Sequence, residues 1–124
     1  MRDPANPVCR TISTLLSRIG DKWTVLVVQT LGDGSKRFNE LRREIPSVSQ
    51  RMLTLTLRNL ERDGLVMRTV TPSIPPRVDY ELTVLGRSLQ GPICGLATWA
   101  MNNVEAIHGA QARFDAAADQ AVAA

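Results

Sequence analysis

The stretch Pro75-Pro76-Arg77-Val78-Asp79-Tyr80-Glu81-Leu82-Thr83 opens on two residues that cannot donate to a β-ladder. It continues as Val78 to Leu82, alternating apolar and charged side chains as a half-buried strand does. Upstream, Leu65-Val66-Met67-Arg68-Thr69-Val70 is a second strand candidate, and Thr71 to Pro76 reads as the tip between them. Before the hairpin, Ser49 can cap a helix running to about Asp63, with Gly64 in the left-handed position that ends it. Leu53, Leu57 and Leu60 share one face of that helix, and Arg51, Leu55, Arg58 and Arg62 share the opposite one. Pro46-Ser47-Val48 separates it from a shorter helix that carries Leu41 and Ile45, with Asn39 as the expected N-cap. Two helices joined by a tight turn and followed by a hairpin is the order in which a winged helix-turn-helix protein presents a helix and a wing to DNA.

The flanking segments read as helices. Ile12, Leu15, Leu16 and Ile19 follow the i, i+3, i+4, i+7 rule and predict an amphipathic helix over 8–19. Gly20 can end it and Asp21 can cap the next, whose expected inner face is Trp23, Leu26, Val27, Thr30 and Leu31. Gly32-Asp33-Gly34-Ser35 is a turn. Thr83 can cap a long last helix with an apolar stripe of Leu85, Leu89, Ile93, Leu96, Ala97, Ala100, Val104 and Ile107. Gly91-Pro92 is expected to bend or interrupt that helix, and the Ala-rich end from about Asp115 to fray.

A chain of 124 residues has room for one modest core, and 44% hydrophobic content is enough to fold it. With only 4% aromatics, that core must come from Leu, Val, Ile, Ala and Met. No apolar run is long enough to span a bilayer, Met1-Arg2-Asp3-Pro4 lacks the apolar stretch of a signal peptide, and two cysteines make no disulfide framework. These features point to the cytoplasm. The net charge of +3 is unevenly spread. Residues 35–68 hold eight basic side chains (Lys36, Arg37, Arg42, Arg43, Arg51, Arg58, Arg62 and Arg68) against four acidic ones (Glu40, Glu44, Glu61 and Asp63). A basic middle suits a polyanionic partner, although a solvated, charge-mixed helix surface accounts for it as well.

From about Cys9 to Trp99 the chain resembles the HxlR-type bacterial winged helix-turn-helix regulators, relatives in fold of the MarR group. The matching stretches are Gly20-Asp21-Lys22-Trp23, Arg37-Phe38-Asn39-Glu40-Leu41-Arg42, Ser49-Gln50 with Met52-Leu53, and Leu57 through Leu60-Glu61-Arg62-Asp63-Gly64-Leu65-Val66. The proline-rich wing with Tyr80, Leu82 and Thr83 matches too, as do Gly86, Pro92 and Trp99. The resemblance implies a homodimeric, DNA-binding transcription factor. The expected fold is α+β and mostly helical: a winged helix-turn-helix with a two-stranded wing and N- and C-terminal dimerisation helices. It is expected as one domain over 1–124, with helices and wing at about 8–83 and a C-terminal dimerisation helix at 84–115.

Base contacts are expected from the helix that starts at Ser49, through Ser49, Gln50, Arg51, Thr54, Leu55 and Arg58. Gln50 suits adenine, Arg51 suits guanine, and Arg58, two turns on, suits phosphate. Leu55 departs from the family pattern, where a polar residue is usual; it can touch a thymine methyl or pack on a neighbour. Asn39, Arg42 and Arg43 lie on the preceding helix and are phosphate candidates, with Lys36 and Arg37 beside them. Arg77 can reach the flanking minor groove or phosphate, or simply pair with Asp79.

Cys9 lies near the start of the first helix, beside Arg10, and both features favour the thiolate. Some members of the family carry a cysteine at the matching position, where it senses oxidants or electrophiles. The other reading of Cys9 is a small buried apolar residue. Cys94 reads as core or dimer packing, or as a resolving partner. His108 has no Cys or Asp constellation near it, and no Gly-rich phosphate loop is present, so no enzyme, cofactor or metal site is expected. Trp23 and Trp99 read as packing anchors. The expected function is that of a homodimeric transcriptional repressor on a pseudo-palindromic double-stranded operator, with its small-molecule effector left open. The rival is a winged-helix module that docks protein without DNA specificity. Salt separates the two, because only DNA binding releases condensed counterions.

Overall fold

The structure, a computed structural model, describes residues 6–123. The reading of Met1-Arg2-Asp3-Pro4 lies outside the described residues. The elements run α1 (Pro7–Ile19), α2 (Lys22–Leu31), β1 (Lys36–Arg37), α3 (Phe38–Glu44), α4 (Gln50–Arg62), β2 (Val66–Thr71), β3 (Arg77–Leu82) and α5 (Val84–Ala123). They form two compact units, Met1–Gly91 and Pro92–Ala124. Among the described residues no helix is long and apolar enough to cross a membrane.

In the first unit the helix starts are fixed by side-chain caps. Asn6 Oδ1 accepts from the Val8 N–H at 2.8 Å, ahead of Pro7 at the first helical position. Asp21 Oδ2 accepts from the Thr24 N–H at 3.2 Å, and Ser49 Oγ from the Met52 N–H at 3.0 Å. Gly64, at φ +76°, ends α4 as expected. Thr83 caps α5 by accepting from the Gly86 N–H at 3.1 Å, and its hydroxyl donates to the Gly64 carbonyl at 2.6 Å. One threonine thereby ties the start of α5 to the end of α4. Gly86 is required there, since a Cβ at that position would run into the Leu65 carbonyl.

The core is aliphatic. Val27, Val28 and Leu31 of α2 are buried with Leu41, Ile45 and Val48, with Leu53, Leu57 and Leu60 of α4, and with Val66 and Leu82 of the sheet. The inner face of α2 differs from the expected one. Thr24, Val27, Val28 and Leu31 are buried, while Leu26 is exposed and Trp23 and Thr30 are half-buried. Tertiary packing explains this, because α1, α3, α4 and β3 all pack on α2 and leave more than one stripe covered. Trp23 carries the Lys22 ammonium 4.6 Å from its ring centroid.

The wing hairpin forms as expected, with Arg68 opposite Tyr80 and Thr69 opposite Asp79. A third strand joins it: β1 pairs antiparallel with β3, Lys36 opposite Tyr80 and Arg37 opposite Asp79, giving the order β1-β3-β2. The expected two-stranded wing is therefore the outer part of a three-stranded sheet. Two residues are too few to show a period-2 pattern. The β1 pairing also moves the start of α3. Arg37, not Asn39, is the N-cap; its own N–H donates to Glu40 Oε1 at 3.1 Å, and Asn39 sits inside the first turn. The wing tip is one residue shorter than expected, since Thr71 belongs to β2, and β3 starts at Arg77, one residue before the expected strand; the Ile74–Pro75 peptide in the tip is cis.

α1 buries only Cys9. Its expected apolar face stays open, with Ile12, Leu15 and Leu16 exposed and Ile19 half-buried. At its last turn Arg18 Nε stands 2.7 Å from Asp63 Oδ2, the C-cap residue of α4. These two atoms are buried and meet as charges, without hydrogen-bond geometry.

The second unit is helical. α5 is continuous through Pro92 and on to Ala123, so the expected interruption does not occur, although the boundary between the units falls at that point. Proline removes one donor from a 40-residue ladder whose other bonds carry it. The expected fraying from Asp115 is absent too, and the helix outruns the expected limit at 115; alanine is the strongest helix former, which offsets the lack of packing there. Cys94 is exposed, which corrects its reading as core. Trp99 is also exposed and anchors no packing within its own unit.

Candidate nucleic-acid interface

α3, the turn at Pro46–Val48 and α4 are locked to one another by local chemistry. Ile45 takes φ −123° and ψ 72°, outside the helical region, as the residue before a proline must. Its carbonyl accepts from the Val48 N–H at 3.2 Å, and both side chains are buried. Ser49 then starts α4. The helix turns Leu53, Thr56, Leu57 and Leu60 inward, so Gln50, Arg51, Thr54, Leu55, Arg58 and Arg62 face out. Ser49 itself is spent as the cap, and Thr54 donates its hydroxyl to the Gln50 carbonyl at 2.8 Å. The amide of Gln50 and the guanidinium of Arg51 therefore form the outward polar end of α4, two groups able to pair with base edges.

Leu55 is about half exposed and lines a groove with Thr14 and Ser17 of α1 and with Met52 and Asn59 of its own helix. That exposure is compatible with both roles read for it, touching a thymine methyl and packing on a neighbour. On the other side of α4, Thr54, Arg58 and Glu61 face Arg68 and Tyr80 of the wing across a second groove. Arg68, one of the basic residues of the middle of the chain, thus joins the expected site residues. Its signal was the register of the hairpin, which places it opposite Tyr80 and so beside α4.

The remaining basic residues fall into two groups. A cleft of about 640 Å³ between the start of α3 and the wing tip is lined by Arg37, Asn39, Arg43 and Arg77, together with Glu40, Pro75 and Pro76. Residues 32 to 40 apart in sequence thus meet in one place, three of them guanidinium-bearing. Arg77 makes its alternative contact as well, Nε to Asp79 Oδ2 at 3.0 Å, and remains half exposed. Arg42 is exposed on α3 outside this cleft. Lys36 is not available in the same way: its ammonium pairs with Glu44 at 3.2 Å, and its side chain is only 15% exposed. Here β1 holds Lys36 against α3, which the sequence did not reveal. Cys9 sits in the first turn of α1, as read, and is buried.

Residues 18–108 match the HxlR-like helix-turn-helix family. An uncharacterised HTH-type transcriptional regulator, YdeP of Bacillus subtilis (strain 168), is 48% identical over 88 residues, covering 71% of this chain and 69% of its own. The HTH-type transcriptional regulator YodB of the same organism is 38% identical over 95 residues, 77% of this chain and 85% of its own. Among solved structures, the redox regulator HypR in its reduced form superposes with a TM-score of 0.72 at 42% identity, covering 80% of this chain and 98% of its own.

Proposed function

The chain belongs to the HxlR-like helix-turn-helix family, whose members named above are HTH-type transcriptional regulators, and from that premise we propose that it reads an operator with Gln50 and Arg51 and holds the backbone with the α3–wing cleft. The fold is that of the winged-helix regulators. One observation carries the residue assignment: the outward end of α4 and the arginine-lined cleft lie in one compact unit and on adjoining elements. Arg42, Arg43, Arg58 and Arg77 are assigned to phosphate, and Leu55 to packing between α4 and α1. We assign the protein as a homodimer acting as a repressor on a pseudo-palindromic site, because α1 and the later part of α5 each carry an apolar face that their own unit leaves open. The test is a titration of DNA from upstream of its own coding region at several salt concentrations. Affinity should fall steeply with salt through counterion release. A flat salt response would move the protein to the rival class, a module that docks protein.

A second reading is supported by the neighbours: HypR is a redox regulator with oxidised and reduced forms, and YodB has reduced and diamide-treated ones. We assign Cys9 as the oxidant-responsive thiol, with Cys94 or a second Cys9 as the other half of a disulfide. Because Cys9 is buried, its oxidation requires the first turn of α1 to open, so the response should be slow. Operator affinity of the parent and of Cys9→Ser, before and after mild peroxide and then a thiol reductant, decides it. Reversible loss in the parent alone is the expected result; equal behaviour leaves Cys9 as packing.

A further inference from the structure

The wing tip has a chemistry unlike the rest of the interface. From Thr71 to Pro76 there is no charged side chain, whereas the cleft beside it brings together Arg37, Arg43 and Arg77 with the single carboxylate of Glu40. Ser73 Oγ, the side-chain polar group between the two strands, donates to the Pro75 carbonyl at 2.7 Å and so turns back on the loop itself. Prolines at 72, 75 and 76 have no N–H to offer a phosphate and fix the local backbone. Ser73, Pro75 and Pro76 line the arginine cleft, but Ile74 between them does not, and its side chain is fully exposed. The tip therefore has no charged side chain with which to hold a phosphate and one branched aliphatic side chain held out in water.

We propose that Ile74 is a minor-groove wedge. It enters the operator flank beside the site read by α4, packs against sugar and base edges, and prises one base step open. The inference rests on the DNA-binding reading above and deepens it. The occupant follows from continuity: Arg43 and Arg77 in the cleft beneath the tip clamp the backbone, which leaves the tip over the adjacent groove and not over a phosphate. Isoleucine and proline are among the side chains that architectural proteins insert between base steps, and such insertion bends the duplex by roughly 20–90°. Leaving water for that step is also favourable for an isoleucine, one of the larger apolar side chains. Ile74 would thus confer sequence preference at flanking positions without a hydrogen bond, because pyrimidine–purine steps open more easily than others.

The experiment uses the full chain and a duplex selected by the parent protein from a random pool, labelled at its two ends for energy transfer. Parent, Ile74→Ser and Ile74→Leu are compared for affinity, end-to-end distance and flank preference. Ile74 touches no core, so the serine variant should fold as the parent does, and circular dichroism checks this. The expected result is a shortened end-to-end distance with the parent and with Ile74→Leu, and a straighter duplex with Ile74→Ser. Replacing flanking G·C pairs by inosine·C removes the amino group that obstructs the minor groove. This should strengthen parent binding by at least about fivefold, the low end of what a single base-pair change is worth, and leave Ile74→Ser unchanged. Equal bending and equal flank preference in parent and Ile74→Ser would overturn the wedge while leaving DNA binding intact. Selection of no duplex by the parent would overturn both.

Discussion

Arg51 and Arg77 show how one residue type divides into two functions. Arg51 stands on the outward end of α4 with no ion pair among the described contacts, and Arg77 leans on Asp79 at the tip end of the wing. An exposed pair of that kind contributes only about 0–1 kcal/mol, so a phosphate can displace the carboxylate. Arg51→Ala should therefore cost about 1–3 kcal/mol on a specific site and relax the base preference there. Arg77→Ala and Arg42→Ala should weaken binding to all sequences and flatten the salt dependence. Titrations at several salt concentrations separate the two patterns, and parent-like binding by all three variants would remove α4 from the groove. The outward set on α4 was legible because a helix has a fixed period and one apolar face names the other. Lys36 and Arg68 were not legible, since each is placed by a strand pairing across the sheet, to Glu44 on α3 in one case and beside α4 in the other.

Between elements, the Arg18–Asp63 pair is the contact with the most to say about rigidity. It joins the last turn of α1 to the C-cap of α4, and both side chains are largely buried, at 17% and 13% exposed. Removing one partner strands the other charge in a poorly solvated place. Arg18→Met should therefore destabilise by about 1–3 kcal/mol, short of the full cost of breaking a wholly buried pair because some exposure remains. The double variant Arg18→Met with Asp63→Leu should recover part of that loss, since two charges then leave together. Urea midpoints for the parent, both single variants and the double variant give the coupling directly; strict additivity would mean that the 2.7 Å approach carries no interaction. No sequence pattern could have paired residues 18 and 63, which are 45 positions apart. The caps at Asp21, Ser49 and Thr83 were readable because capping is local. The cap of α3 was misread at Asn39, because the two-residue strand β1 places Arg37 at the helix start.

At the scale of the molecule, the open apolar surface asks for a second copy. On α1, Val8, Ile12, Leu15 and Leu16 are exposed, and on the later part of α5 the same holds for Leu96, Trp99, Val104 and Phe114. Scattered exposed apolar residues are ordinary, but these recur on helical faces, and monomers rarely leave such patches contiguous. The apolar stripe of α5 was legible in the sequence. That it runs unbroken past Pro92 and beyond residue 115 was not, because local rules weigh one missing donor and an unpacked end more heavily than a long alanine-rich ladder does. If the two faces bind a second copy, Leu96→Glu or Trp99→Glu places a charge in apolar packing and should yield a monomer. The first unit has its own core and caps, so the monomer should keep its helical signal. Operator binding should fall well below that of the dimer, because two half-sites on one DNA are then no longer linked and the second contact loses its effective concentration. Sedimentation of parent and variants at micromolar concentration, alongside titration of whole and half operators, tests each link. A variant that becomes monomeric yet binds the whole operator like the parent would place specificity in a single copy, and the half-site symmetry expected of the operator would then have no physical cause.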